Sequence, residues 1–238
     1  MSTLSPLYNG YNARNAVIGT WVLVILSAIL LYLNFVQYGI IQDAKIGNLD
    51  QAKVQANDTY KQVVVVILVI VFITTNILFS IWLNRAYGNI DRMGLHQSYR
   101  QPWVIWAWFV PFMNLYTPYE IMVEIYKQTQ YARTEDTQRP KSVAFLGWWW
   151  FLFIVISIFS NLVSIFESET LEQIEMVTIA AIISILCLIG YYLFGIYVIR
   201  RIASEEQATY EYYEKNAYNS QFIQDTSNFE NLDTENPV

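Results

Sequence analysis

Of 238 residues, 55% are apolar and 16% aromatic, and only 14% are charged, against about 25% charge in an average soluble domain. That balance excludes an ordinary soluble globule and points to a membrane protein. A net charge of −6 with no basic run excludes a nucleic-acid binder.

In chain order, four apolar runs approach the roughly 20 residues that a helix needs to cross a bilayer. The first is 16–38 and the second 62–83, both without a charge. The second is rich in valine and isoleucine, yet lipid disfavours a lone strand because its backbone groups would go unpaired. The third is 143–166 and the fourth 176–199. The first run is too long for a signal-peptide core and no A-x-A site follows, so it is expected to stay in the mature chain. The only cysteine, Cys187, lies in the fourth run and can form no intramolecular disulfide.

Lys and Arg are uneven along the chain. With four crossings, one side holds eleven of them and the other holds only Lys45, Lys53 and Lys61. The positive-inside rule then puts both termini in the cytoplasm. The tryptophans agree: Trp21, Trp82, Trp148, Trp149 and Trp150 fall at the inner ends of spans, and Trp103, Trp106 and Trp108 between spans two and three. They are expected to form an interfacial belt. The loop 42–61 is polar and partly helical by pattern, and its Asn57-Asp58-Thr59 triplet reads as a chance glycosylation pattern.

Polar residues Asn76, Ser80 and Asn84 recur every fourth position and share one face of span two. They should turn inward, either to bond between helices or to line a polar path. Ser157, Ser160, Asn161 and Ser164 form a similar stripe on span three. Arg85 suits snorkelling into headgroups, and Gly94 suits a helix stop. His96 is the only histidine and makes no metal site by itself.

The segment 103–115 has about 13 largely apolar residues interrupted by Pro111, which favours a re-entrant or interfacial element over a fifth crossing. Asn114 is a candidate cap for the freed backbone. Thr117 and Pro118 are candidates for the N-cap and first position of a new helix. Along 119–131, Glu120, Glu124, Lys127, Gln128 and Tyr131 share one face and Ile121, Met122, Ile125 and Tyr126 the other. This predicts an amphipathic helix in the membrane plane. The pair Glu120 and Glu124 is a solvated face or a partner of Arg85 or Arg92, with metal ligation as the sharper alternative.

The series Trp82, Arg85, Ala86, Asn89, then Trp108, Pro111, Asn114 and Pro118, resembles the signature of the DUF4328 family of bacterial membrane proteins. The resemblance covers roughly 82–127. It implies a multi-span protein of the bacterial inner membrane and assigns no catalytic or ligand residue, because the family has no known activity.

After Arg200 and Arg201 the tail 203–238 carries eight acids against Lys215 alone. It reads as an acidic cytoplasmic tail, partly helical and then disordered, following a membrane domain over 1–202. The fold expected is therefore all-α: four spans, a re-entrant or interfacial segment, and an in-plane amphipathic helix. No nucleotide, zinc or hydrolase motif appears and no acid lies within a span, so no cofactor or metal is expected. A non-enzymatic scaffold, sensor or accessory subunit is the leading function. A small channel or transporter is the alternative, and an interfacial enzyme a remote third. The expected partners are the bilayer, a protein at the cytoplasmic face or tail, and further copies of the chain.

Overall fold

The computed structural model describes residues 4–133, 141–163 and 170–235, with side chains through 158 in the second stretch and through 221 in the third. Most of the polar linker 133–141, the end of the third apolar run with Ser160, Asn161 and Ser164, the acids Glu167 and Glu169, and the end of the tail lie outside these limits. Six α-helices follow one another: α1 (Gly10–Lys45), α2 (Gln51–Arg92), α3 (Trp103–Trp106), α4 (Thr117–Tyr131), α5 (Ala144–Val163) and α6 (Leu171–Glu235), with a 3-10 turn at Met113–Leu115. No strand occurs among the described residues.

The long helices outrun the apolar stretches that nucleate them. At about 1.5 Å per residue, α1 and α2 reach roughly 54 and 63 Å, against a hydrocarbon core of about 30 Å. The polar loop expected over 42–61 is therefore mostly helix, reduced to a turn at 46–50. Asp50 caps α2 by accepting from the N–H groups of Ala52 and Lys53, and Gly47 takes the positive φ that closes the turn. Asn57 is 4% exposed, so its triplet offers no accessible acceptor. At its other end α2 stops where Gly94 suggested. Gly94 adopts φ 71°, and the N–H groups of Gly94 and Leu95 reach back to the carbonyls of Asp91 and Ile90, which is the Schellman arrangement.

Helix α1 lies antiparallel to both α2 and α6. Asn9 meets Glu206 at one end, while Gln42 and Lys45 meet Glu175 at the other. The core sits at the Asn9 end. There Ala13, Ala16 and Val17 of α1 pack with Trp82, Leu83, Ala86 and Ile90 of α2, Leu146 and Trp149 of α5, and Ile196, Ile199 and Ile202 of α6. Away from it the helices are apolar and outward-facing, most of all α2, where Val66, Ile70, Ile73 and Ile77 are exposed. An apolar surface this continuous is not left to water.

Three helices, α1, α2 and the first part of α6, are long and apolar enough to cross a membrane. Of α5, Ala144–Ile158 counts as a shorter apolar helix, so among the described residues three candidate spans stand where four were expected. Segment 103–118 is too broken to cross: α3 is one turn long, and Phe112 holds φ 65°, a conformation bulky residues rarely adopt. The tryptophans are divided between core and surface. Trp82, Trp149 and Trp150 are buried, whereas Trp106 and Trp148 are over 60% exposed. The tail continues α6 without a break to Glu235, so no structural boundary marks 202/203.

One close contact sets the α1–α2 spacing. A Cβ at Gly19 would stand 2.7 Å from Thr75 Oγ1 and 3.1 Å from its Cγ2, and Thr75 Oγ1 is buried without a hydrogen-bond partner. Gly19→Val should cost about 1–3 kcal/mol by overpacking and lower the melting temperature in detergent. Thr75→Ala, which empties the colliding volume and removes an unpaired hydroxyl, should restore part of it; no recovery would show that this contact does not set the spacing.

Candidate functional site

The signature residues converge on the core end of the bundle, and the structure brings them to partners absent from the signature. Trp82 is fully buried. Its Nε1–H donates to Glu206 Oε2 at 2.9 Å, and its carbonyl accepts from Asn9 Nδ2 at 3.1 Å. The same Asn9 amide donates to Glu206 Oε1 at 3.0 Å. One carboxylate and one amide thus tie α2, the start of α1 and α6 together. Asn89 works on the neighbouring turn: its Nδ2 donates to the Leu7 carbonyl and its Oδ1 accepts from Leu7 N–H, both at 2.8 Å. This double bond gives the N-terminal segment the backbone partners a strand would supply.

The loop after α2 is fixed in the same way. Gln101 Nε2 donates to Asn84 Oδ1 at 2.8 Å and to the Asn84 carbonyl at 2.5 Å. Glu124 accepts from Tyr87 Oη at 3.0 Å, from Ser98 N at 2.7 Å and from Ser98 Oγ at 3.0 Å. Glu120 accepts from Tyr99 Oη. The two glutamates therefore pair with neither arginine. Arg92 Nε donates to the Ser5 carbonyl, and Arg85 is exposed with no side-chain bond among the described residues. The Glu120 bond pushes the Tyr99 phenol up to about 12, and burial first of all raises the Tyr87 phenol further. Both hydroxyls are donors at neutral pH.

Helix α4 turns its apolar face away from lipid. Ile121, Met122, Ile125 and Tyr126 are each at most 1% exposed, buried in the protein core, at about 1.5–3 kcal/mol apiece. The in-plane placement expected for it fails because that face is already covered. Thr117 falls at the first helical position with no side-chain cap, and Pro118 beside it is buried. Asn114 makes no side-chain hydrogen bond among the described residues, and its backbone N–H donates to the Val110 carbonyl at 3.1 Å. Pro111 lies in the exposed turn, and Trp108 donates to the Val104 carbonyl.

Of the three polar residues that share one face of α2, Asn76 and Asn84 have separate partners. Asn76 is exposed and bonds its own helix at the Phe72 carbonyl, Asn84 is committed to Gln101, and buried Thr75 occupies the α1-facing side instead. The connecting segment also presents exposed apolar side chains: Trp106 is 61%, Phe109 73% and Phe112 80% exposed.

Sequence reasoning missed the two acids that open the tail. Glu205 is 6% exposed and bridges Arg133 and Lys141, the latter at 2.6 Å. Desolvation alone would raise its pKa, but the two cations outweigh it and hold the carboxyl below the ordinary range. Glu206 has only neutral donors. Desolvation dominates the bonds from Asn9 and Trp82 and pushes its carboxyl up to about 7. A run of eight acids in a polar tail gave no sign that the first two enter the core. The only hint was their spacing, one to two turns beyond the last apolar run.

Glu206 makes folding pH-dependent. Its folded-state value of about 7 lies above the ordinary 4.5, so the folded protein holds an extra proton between these limits. Stability should fall as pH rises through that window, by up to about 3 kcal/mol, and level off above it. Glu205 acts in the opposite sense, below its ordinary range. The melting temperature in detergent should therefore drop between pH 5 and 7.5 in the native chain. It should stay flat over that interval in Glu206→Gln; an unchanged slope in the variant would assign the effect elsewhere.

A search among curated proteins and among solved structures found no match. A family model described as domain of unknown function (DUF4328) matches residues 46–204, about two thirds of the 238 residues and the whole region from Trp82 to Lys127. The chain belongs to the DUF4328 family.

Proposed function

We propose that this protein is a four-span integral protein of a bacterial cytoplasmic membrane, with both termini inside, and that it acts without catalysis as a scaffold, sensor or accessory subunit. The observation that carries the reading is how the signature is used. Trp82, Asn84, Asn89, Glu120 and Glu124 are all committed to internal hydrogen bonds, and Asn84 and the two glutamates fix residues 98–101, directly before a surface segment that presents Trp106, Phe109 and Phe112 outward. Such an exposed aromatic segment suits the headgroup level of a bilayer, where amphipathic and aromatic rings are favoured. Helix α5 would supply the fourth crossing, its 20 residues matching the minimum length. A partner would meet the exposed face of this end or the projecting part of α6. The channel alternative is less favoured, because Asn76 bonds its own helix and Asn84 is committed to Gln101.

Two measurements test this. Reporters fused at Gly94, Arg133 and Val238 should all read cytoplasmic; an external signal at any of them would break the four-span scheme. On a Cys187→Ser background, single cysteines at positions 76, 80 and 84 should resist a membrane-impermeant thiol reagent in intact cells. Reaction at all three would establish a hydrated path and favour a channel.

A further inference from the structure

An open groove of about 510 Å³ runs between α1 and α6, lined by Trp21, Leu193, Ile196, Tyr197, Arg200 and Arg201. None of the six is acidic. Arg201 is oriented rather than neutralised: its Nε donates to Tyr126 Oη at 3.2 Å, its Nη1 donates to Tyr197 Oη at 2.7 Å, and its guanidinium carbon stands 5.0 Å from the Phe145 ring centre. Two of its five N–H donors are used, which leaves three. Arg200 is exposed and makes no ion pair or side-chain hydrogen bond among the described residues. Two adjacent guanidinium groups therefore border the groove with no counter-charge among the described residues, one of them held in place by two phenols and a ring.

The rest of the groove is apolar. Leu193 and Ile196 belong to the charge-free run 176–199 and lead from the arginines along α6. Trp21 stands opposite on α1, 41% exposed. The antiparallel register set by Asn9–Glu206 and Gln42–Glu175 brings the start of the charge-free run of α1 level with the end of that of α6. The cationic border of the groove thus coincides with the edge of the apolar belt.

A ligand that fits carries an anionic oxygen group at one end and an alkyl chain at the other. Guanidinium groups bind phosphate oxygens through parallel charge-assisted bonds, and the Leu193–Ile196 floor takes only hydrocarbon. Free phosphate would leave the floor unused, and a zwitterionic headgroup would bring a second cation to an uncompensated pair. We propose that this groove binds an anionic phospholipid, its phosphodiester on Arg200 and Arg201 and one acyl chain along Leu193 and Ile196 beside Trp21. The proposal rests on the membrane reading for the source of the ligand and is independent of the number of spans.

The test uses the full chain in detergent, titrated with phosphatidylglycerol and followed by native mass spectrometry. A phosphatidylglycerol adduct should form in preference to phosphatidylcholine of the same chains. Arg200→Gln should weaken it by about tenfold, the loss of one charge-assisted contact. Leu193→Trp, which fills the floor and leaves the charges, should weaken it as well. Arg100→Gln, at an exposed arginine outside the groove, should leave it unchanged. Equal retention of the two lipids would overturn the site, as would equal losses in Arg200→Gln and Arg100→Gln, which mark diffuse attraction. Displacement of the lipid by millimolar inorganic phosphate would overturn it in favour of a small-anion site. Because Arg200 makes no internal bond among the described residues, its replacement tests binding without testing the fold.

Discussion

The half-buried carboxylate of Glu206 is the constraint around which the rest of this molecule is arranged. A carboxylate enclosed by apolar packing must find donors or take up a proton. This one finds the indole of Trp82 and the amide of Asn9, so that a single group joins the start of α1, the end of the apolar part of α2, and α6. Those three contacts also fix the antiparallel register of α1 against α6, which in turn places Arg200 and Arg201 at the edge of the groove. The neighbouring Glu205 solves the same desolvation problem differently, by taking two cations. Adjacent acids on one helix thereby acquire opposite electrostatic character.

The signature then reads as a bracing system. Several polar residues in and beside it satisfy backbone or side-chain groups of segments that have little regular structure of their own. Asn89 holds residue 7, Asn84 takes Gln101, and Glu124 takes Ser98 and Tyr87. An irregular segment near apolar surroundings cannot leave its backbone groups unpaired, and side chains from α2 and α4 supply what secondary structure does not. The side chains of Trp106, Phe109 and Phe112 remain on the outside, where a bilayer surface or a partner would meet them.

Membrane character enters the architecture through where the core is, as much as through helix length. The described protein core occupies one end of the bundle, and the middle of α2 is nearly all outward-facing hydrocarbon. A soluble bundle would bury that stripe. Here the polar end carries the specific interactions, while the apolar shafts are matched to a solvent that asks for no specificity. The long continuation of α6 beyond this end follows from its register: up to Thr209 it is still inside the core, bonding the Thr129 carbonyl at 2.7 Å, and only past that does it leave the other helices.

The sequence by itself determined the helical class, the apolar segments, the stop at Gly94, the break around Pro111 and the family, because each depends on local composition, backbone stereochemistry or fixed spacing. Tertiary structure alone decided the partners. Glu120 and Glu124 looked like a solvated or arginine-paired face and instead accept from Tyr99 and Tyr87. The apolar side of α4 looked ready for lipid and is covered by other helices. Asn76 looked inward and lies outside, because Thr75 takes the contact with Gly19. Glu205 and Glu206 were indistinguishable from the other tail acids until α6 was seen to carry them past Arg133, Lys141, Trp82 and Asn9. Periodicity states which residues share a face. Only the packing of distant segments states what that face meets, and here those contacts join positions 21 to 197 residues apart.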